Sequence, residues 1–275
     1  MANPIDSLKT IWASESTCAI LPLIYLVLTR MRTNQLRTAW ILCNIMFYTA
    51  VTSTRCLFKY FFSTISRQWT DNALHHWIDQ LLNAVQVEYK VINPFNVQPQ
   101  PGKATIIMCN HSSAYDIPLA FKAFPNHSIR MLSKKELAKI PLMGKAMKAA
   151  EFPFVDRKNK YQAIKDLAYA QQLMESGIVM WIAPEGTRSK DGKLGSFKKG
   201  GFITAIQSKA TIIPIGIRGA NNILPARTFN FNLKQKAEIH IGKPIDASQF
   251  TLENKEELIQ QTFAEIKELV GESQS

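Results

Sequence analysis

"ATIIMCNHSSAYD", residues 104–116, runs from a continuous apolar segment into a polar stretch that sets a histidine five residues ahead of an aspartate. A short apolar run that ends in polar residues reads as a strand buried on both faces, the kind that parallel sheets use. The loop past such a strand is where open α/β sheets build their sites. Downstream, similar runs recur at "IRMLS" (129–133), "FPFV" (152–155), "IVMWI" (178–182), "TIIPIG" (211–216) and "AEIHIG" (237–242). Helical stretches separate most of them. The clearest covers 158–175, where Ala163, Leu167, Ala170 and Met174 keep helical spacing and Gly177 supplies the stop. Residues 251–270 read as a terminal acidic helix, and "VQPQPG" (97–102) reads as a linker. This alternation predicts an α/β fold, a largely parallel central sheet covered by helices.

Ahead of that domain, residues 16–29 and 38–54 contain no charged side chain and flank the basic stretch "RMRTNQLR". Each is shorter than the ~18–20 apolar residues of a straight span. A membrane-associating helical hairpin dipping into one leaflet is therefore expected over two short spans, with two buried core helices as the plain alternative. A cleaved signal peptide fits poorly, because the basic element follows the first apolar run. The expected division is a membrane-associating segment over 1–60 and an α/β domain over 61–275.

The chain carries a formal charge of +12 over 275 residues. Residues 101–245 hold 23 Lys and Arg against 9 Asp and Glu, whereas 246–275 hold 2 against 7. A basic middle implies an anionic partner: nucleic acid, phospholipid or a phosphorylated substrate. Nucleic acid is the poorer choice, since the stretch lacks interleaved stacking aromatics and any known binding module. The four cysteines, Cys18, Cys43, Cys56 and Cys109, form no CxxC pair and no zinc-like alternation with histidine. Reduced thiols are expected, and no metal site. Cys109, at the end of a strand, reads as a packed thiol rather than a nucleophile.

Four stretches carry the chemistry. His111 follows the buried strand, and a carboxylate at Asp116 can accept its Nδ1 proton and so leave Nε2 as a base. Asp116 followed by Ile117 and Pro118 is equally a helix N-cap, with Ser113 at capping-box spacing, and the two roles are compatible. "APEGTRSKDG" (183–192) joins turn residues to one acid and one arginine. Arg188 can grip a phosphate bidentately, and Gly186 lets backbone N–H groups come close to an anion. In "FPFVDRK" (152–158), Asp156 reads as a helix cap and Arg157 as a second anion contact. "TIIPIGIRG" (211–219) sets Pro214 in an apolar run, which predicts an edge strand or a break. No nucleotide phosphate loop accompanies these stretches.

In order and spacing these blocks resemble the glycerolipid acyltransferase family typified by 1-acylglycerol-3-phosphate acyltransferases, over about residues 85–245. His111 and Asp116 stand at its HxxxxD motif, "FPFVDR" at the second block, "PEGTR" at the third and "IIPIGIRG" at the fourth; "SKKELAKIPLMGKAM" (133–147) is similar to the family's link between the first two. Ala183 departs from the aromatic that often precedes the Pro-Glu-Gly. The resemblance implies an acyltransferase that moves a fatty acyl group from acyl-CoA or acyl carrier protein to the free sn-2 hydroxyl of 1-acylglycerol-3-phosphate, giving phosphatidic acid. It implies His111 as general base, Asp116 as its orienting partner, and Glu185, Gly186, Thr187, Arg188 and Arg157 as substrate contacts. The implied partners are a lysophospholipid acceptor, an acyl thioester donor and an anionic membrane surface, with the catalytic domain on the cytoplasmic side. No cofactor is implied beyond the donor substrate. Another lysophospholipid or amino-acid-derived lyso-lipid is the alternative acceptor. A non-catalytic lipid-binding protein is a further alternative, although binding alone would not require a base.

Overall fold

The computed structural model describes residues 35–156 and 158–272. Its centre is β2 (Thr105–Cys109), in which every residue is buried. Around it lies a seven-stranded sheet in the order β1 (Glu88–Ile92), β8 (Lys236–Ile241), β7 (Thr211–Arg218), β2, β6 (Val179–Ile182), β3 (Ile129–Met131), with β9 (Ile245–Asp246) also on β7. The pairs β1–β8, β2–β6, β2–β7 and β3–β6 are parallel, and β7 meets β8 and β9 antiparallel. The expected largely parallel α/β architecture is what forms.

Alternation along β2 explains why the sheet must be covered on both sides. Ile107 and Cys109 join one apolar cluster, and Ile106 and Met108 join the other. On the first face lie α1 (Gln35–Phe62), α2 (Arg67–Ala84), α3 (Asp116–Ala123) and α4 (Met143–Ala149). The second face is covered by α5 (Lys160–Glu175), α6 (Lys199–Gln207) and α8 (Lys255–Leu269), while the short α7 (Ala220–Ile223) follows β7.

Several elements differ from the sequence expectation. "FPFV" does not enter the main sheet: only Phe154–Val155 (β5) is extended, and it pairs with Ser133–Lys134 (β4) in a separate two-stranded ribbon. The pattern gave no notice of β1, whose first four residues are exposed, so no alternation marks it. Pro214 sits inside an unbroken interior strand rather than an edge strand or break. It falls between Thr211–Ile212, which pair with β9, and Ile215–Arg218, which pair with β8. The missing N–H therefore coincides with the change of antiparallel partner. The helix over 158–175 begins two residues later, capped by Asn159, whose side chain accepts the Gln162 N–H. Asp156 accepts from Lys158 and Asn159 in the turn before it. Gly177 ends this helix with φ +96°, a left-handed conformation that suits glycine.

Residues 16–29 of the expected hairpin lie outside the described residues. The second apolar segment, 38–54, lies within α1, a 28-residue helix that runs on through "LFKYFF" and is about 42 Å long at 1.5 Å per residue. Ile41 and Cys56 of α1 are buried in the cluster that holds Ile107 and Cys109. The helix is thus part of the body of the protein. Its exposed side chains include Leu36, Trp40, Phe47, Val51, Phe58 and Phe62. Their spacing of four and seven residues puts them on one stripe.

Polar fasteners hold α2 to the sheet. Arg130 on β3 is fully buried and donates to Asp71 Oδ1 at 2.7 Å and to the Ala150 carbonyl at 2.6 Å. Arg67 donates to both oxygens of Glu151, at 2.9 and 2.7 Å, and to the Ser176 carbonyl.

Candidate active site

Because β2 and β6 run parallel with Met108 opposite Ile182, their following loops leave the sheet side by side. One loop is "NHSSAY", the other "APEGTRS". Asn110 anchors the first by a two-way bond to Ile217 on β7, its Nδ2 donating to the carbonyl at 2.9 Å and its Oδ1 accepting the N–H at 2.8 Å.

His111 Nδ1 lies 2.9 Å from Asp116 Oδ2. The same oxygen accepts the backbone N–H of Ser112 and of Ser113, each at 2.7 Å. Asp116 is wholly buried, while the imidazole keeps 15% of its surface exposed. Three donors around one carboxylate oxygen set its direction, so the imidazole meets a fixed acceptor and turns its other nitrogen outward. The Trp181 ring stands edge-to-face with the imidazole, centroids 5.9 Å apart. Helix α3 begins at Asp116, and Tyr115 occupies the N-cap position without a side-chain cap bond. The expected N-cap at Asp116 is therefore corrected. Its carboxylate points back into the loop, where it accepts the Ser112 and Ser113 N–H groups.

Glu185 joins the two loops. Its Oε1 accepts the His111 N–H at 2.7 Å and its Oε2 accepts the Gly195 N–H at 2.9 Å. The side chain is buried, and burial pushes its carboxyl above the ordinary value, against the backbone donors that pull it down. Each oxygen accepts one backbone N–H, so Glu185 braces the histidine loop. Gly195, which sequence reasoning missed, completes the brace: a Cβ there would come within 2.9 Å of Glu185 Oε2. Glycine before a charged turn is too common a signal to have revealed it.

The rest of the third block wraps the same space. Ser189 N–H donates to the His111 carbonyl at 2.8 Å, which pins the loop carrying Arg188 against the histidine. Gly186 makes the turn with φ +71°, and Thr187 is exposed. Arg188 is half-buried and shares a groove with Ala114 and Tyr115. Arg157 lies outside the described residues. Cys109 is completely buried, and burial raises its thiol well above the usual range, as suits a packed thiol. Among the described residues no His, Cys, Asp and Glu cluster has metal-binding geometry.

A buried carboxylate, a partly exposed imidazole and an arginine loop beside it thus gather past the ends of parallel strands in an α/β fold. Residues 88–218 match the acyltransferase family model. The chain is 30% identical to the chloroplast 1-acyl-sn-glycerol-3-phosphate acyltransferase of Arabidopsis thaliana, over 64% of this chain and 49% of that protein. It is 26% identical to the 1-acyl-sn-glycerol-3-phosphate acyltransferase alpha of Mus musculus, over 62% and 58%. The chain thus matches about half the length of such curated relatives. The crystal structure of the 1-acyl-sn-glycerophosphate acyltransferase PlsC from Thermotoga maritima superposes with a TM-score of 0.67, covering 89% of this chain and 99% of that one at 24% identity. At that identity the likeness is one of fold.

Proposed function

We propose that the protein transfers a fatty acyl group from an acyl thioester, on coenzyme A or acyl carrier protein, to the sn-2 hydroxyl of 1-acylglycerol-3-phosphate. The observation that carries this reading is the His111–Asp116 pair, held in register with the arginine loop by Glu185. An alcohol is a weak nucleophile at neutral pH. His111 Nε2 takes its proton as the oxygen attacks the thioester carbonyl, Asp116 stabilises the imidazolium, and the proton passes to the departing thiolate. A positioned base contributes about 10²- to 10⁴-fold, so positioning of the acceptor must supply much of the remainder. Arg188 serves that positioning by holding the acceptor's phosphate, with Arg157 as a second contact and the Gly186–Thr187 turn beside them.

The same reading puts the protein on a membrane, with this domain on the cytoplasmic face. Helix α1 is long and apolar enough to cross a bilayer, yet its exposed apolar stripe and buried opposite face suit one that lies in the interface. A basic surface toward anionic lipid keeps both acyl substrates out of water.

The test is transfer from radiolabelled acyl-CoA and acyl carrier protein thioesters to a panel of lysophosphatidic acid, other lysophospholipids and amino-acid-derived lyso-lipids, with His111→Ala alongside. Phosphatidic acid formed by the parent and not by the variant supports the reading. A variant within tenfold of the parent removes His111 as the base.

A further inference from the structure

Beside Arg188 a second cation faces the same groove, and no sequence block announced it. The groove, of about 350 Å³, opens next to Ala114 and Tyr115 of the histidine loop. Its apolar wall includes Leu42 and Ile45 of α1 and Leu81 of α2; Arg188 and Arg227 supply its two cations. Among the described residues neither guanidinium makes a hydrogen bond or ion pair, whereas Arg67 and Arg130 are both matched to carboxylates. Two unpaired arginines lining one largely apolar groove are free to take an anion.

The loop that carries Arg227 is tied to the catalytic segment. Ser113 Oγ donates to the Leu224 carbonyl at 2.8 Å, and the buried Phe231 stands edge-to-face with Tyr115, centroids 6.4 Å apart. Between these anchors Thr228 closes a turn, its Oγ1 donating to the Pro225 carbonyl at 2.9 Å. Arg227 is held there at φ +62°, a left-handed conformation that non-glycine residues seldom adopt.

We propose that Arg227 and Arg188 together clamp the phosphate monoester of a single-chain lyso-lipid, with its acyl chain lying along Leu42, Ile45 and Leu81. This rests on the acyltransferase reading and adds to it a residue that sets headgroup specificity. A phosphate monoester carries about −1.5 to −2 charges at neutral pH, and a phosphodiester carries one. A second arginine therefore favours the monoester.

The experiment compares the parent, Arg227→Ala and Arg227→Lys by initial rates with three varied substrates: 1-acylglycerol-3-phosphate, a lysophosphodiester of the same chain length, and the acyl thioester. Arg227 is exposed and unbonded, so melting temperatures should agree. We expect Arg227→Ala to raise KM for the monoester about tenfold or more, with the diester and thioester KM values within about threefold and partial recovery in the lysine variant, as for a lost charge-assisted contact. A monoester KM within twofold of the parent, or equal rises for monoester and diester, overturns the clamp while leaving the acyltransferase reading intact. A parent inert toward both acceptors overturns both.

Discussion

The backbone N–H of His111 donates to Glu185 Oε1 at 2.7 Å across 74 residues of sequence. The third block thereby holds His111 by its main chain, and the second oxygen of Glu185 ties in Gly195. Replacing Glu185 with Gln keeps one acceptor oxygen and faces an amide nitrogen toward the other N–H. We expect Glu185→Gln to cost about 1–3 kcal/mol of stability, the price of one buried donor left unpaired. Turnover should fall further than that stability loss explains. Unfolding titrations beside acyl-transfer rates check this, and parent-like turnover would show that the histidine loop does not depend on the brace.

Gly195→Ala should behave like a milder form of the same lesion, because its Cβ would press on Glu185 Oε2. Gly200 in α6 offers the control, since a Cβ there meets nothing within 4 Å. Gly200→Ala should stabilise by up to about 1 kcal/mol through helix propensity. Thermal melts of the two variants should move in opposite directions.

Asp116→Asn can keep its oxygen at the site where Ser112 and Ser113 donate, so the loop should survive within about 1 kcal/mol. The lost charge no longer supports an imidazolium, and turnover should drop by about 100-fold or more. A large stability loss with near-normal turnover would make Asp116 a loop residue only.

Hydrogen bonding from Arg67 holds the Glu151 carboxyl below its ordinary value. A carboxyl depressed in the folded state adds stability that is fully present above its unfolded pKa and disappears as pH falls through the folded one. The parent should therefore exceed Glu151→Gln in stability at neutral pH, and the gap should close below about pH 4.3, the ordinary Glu value. Denaturant unfolding at several pH values reads this out. A gap independent of pH would remove the charged pair as its cause.

Trp40 and Phe47 are 58% and 61% exposed on the apolar stripe of α1. The double variant Trp40→Glu, Phe47→Glu should lose flotation with anionic liposomes in high salt and keep its melting temperature. Deleting residues 1–60 is a different experiment, because it also removes Ile41 and Cys56 from the core. That deletion should lower the melting temperature as well as membrane binding.

The buried strands and the histidine–aspartate pair could be read directly, since continuous apolar runs and a five-residue spacing are local properties of the chain. "ATIIMC" and "IVMWI" became adjacent central strands, and the two polar stretches that follow them became the site. The local code was weaker where partners decide. Pro214 is tolerated in an interior strand because β9 hands over to β8 beside it, and "FPFV" is drawn into a ribbon with Ser133–Lys134. Asp116 looked like a helix cap, yet three donors that gather on its Oδ2 turn it back toward His111. Nothing local in the sequence showed that the two oxygens of Glu185 tie the His111 and Gly195 backbones together. The convergence of Arg227 with Arg188 arises only when residues 224–231 fold back onto Ser113 and Tyr115. Sequence by itself determined the central buried strands, the helix that ends before Gly177 and the polar loops that follow the strands, because periodicity and residue chemistry act over a few neighbours. Only tertiary structure decided which polar atoms are spent on backbone and which remain free for a substrate, because hydrogen-bond satisfaction depends on groups far apart in the chain.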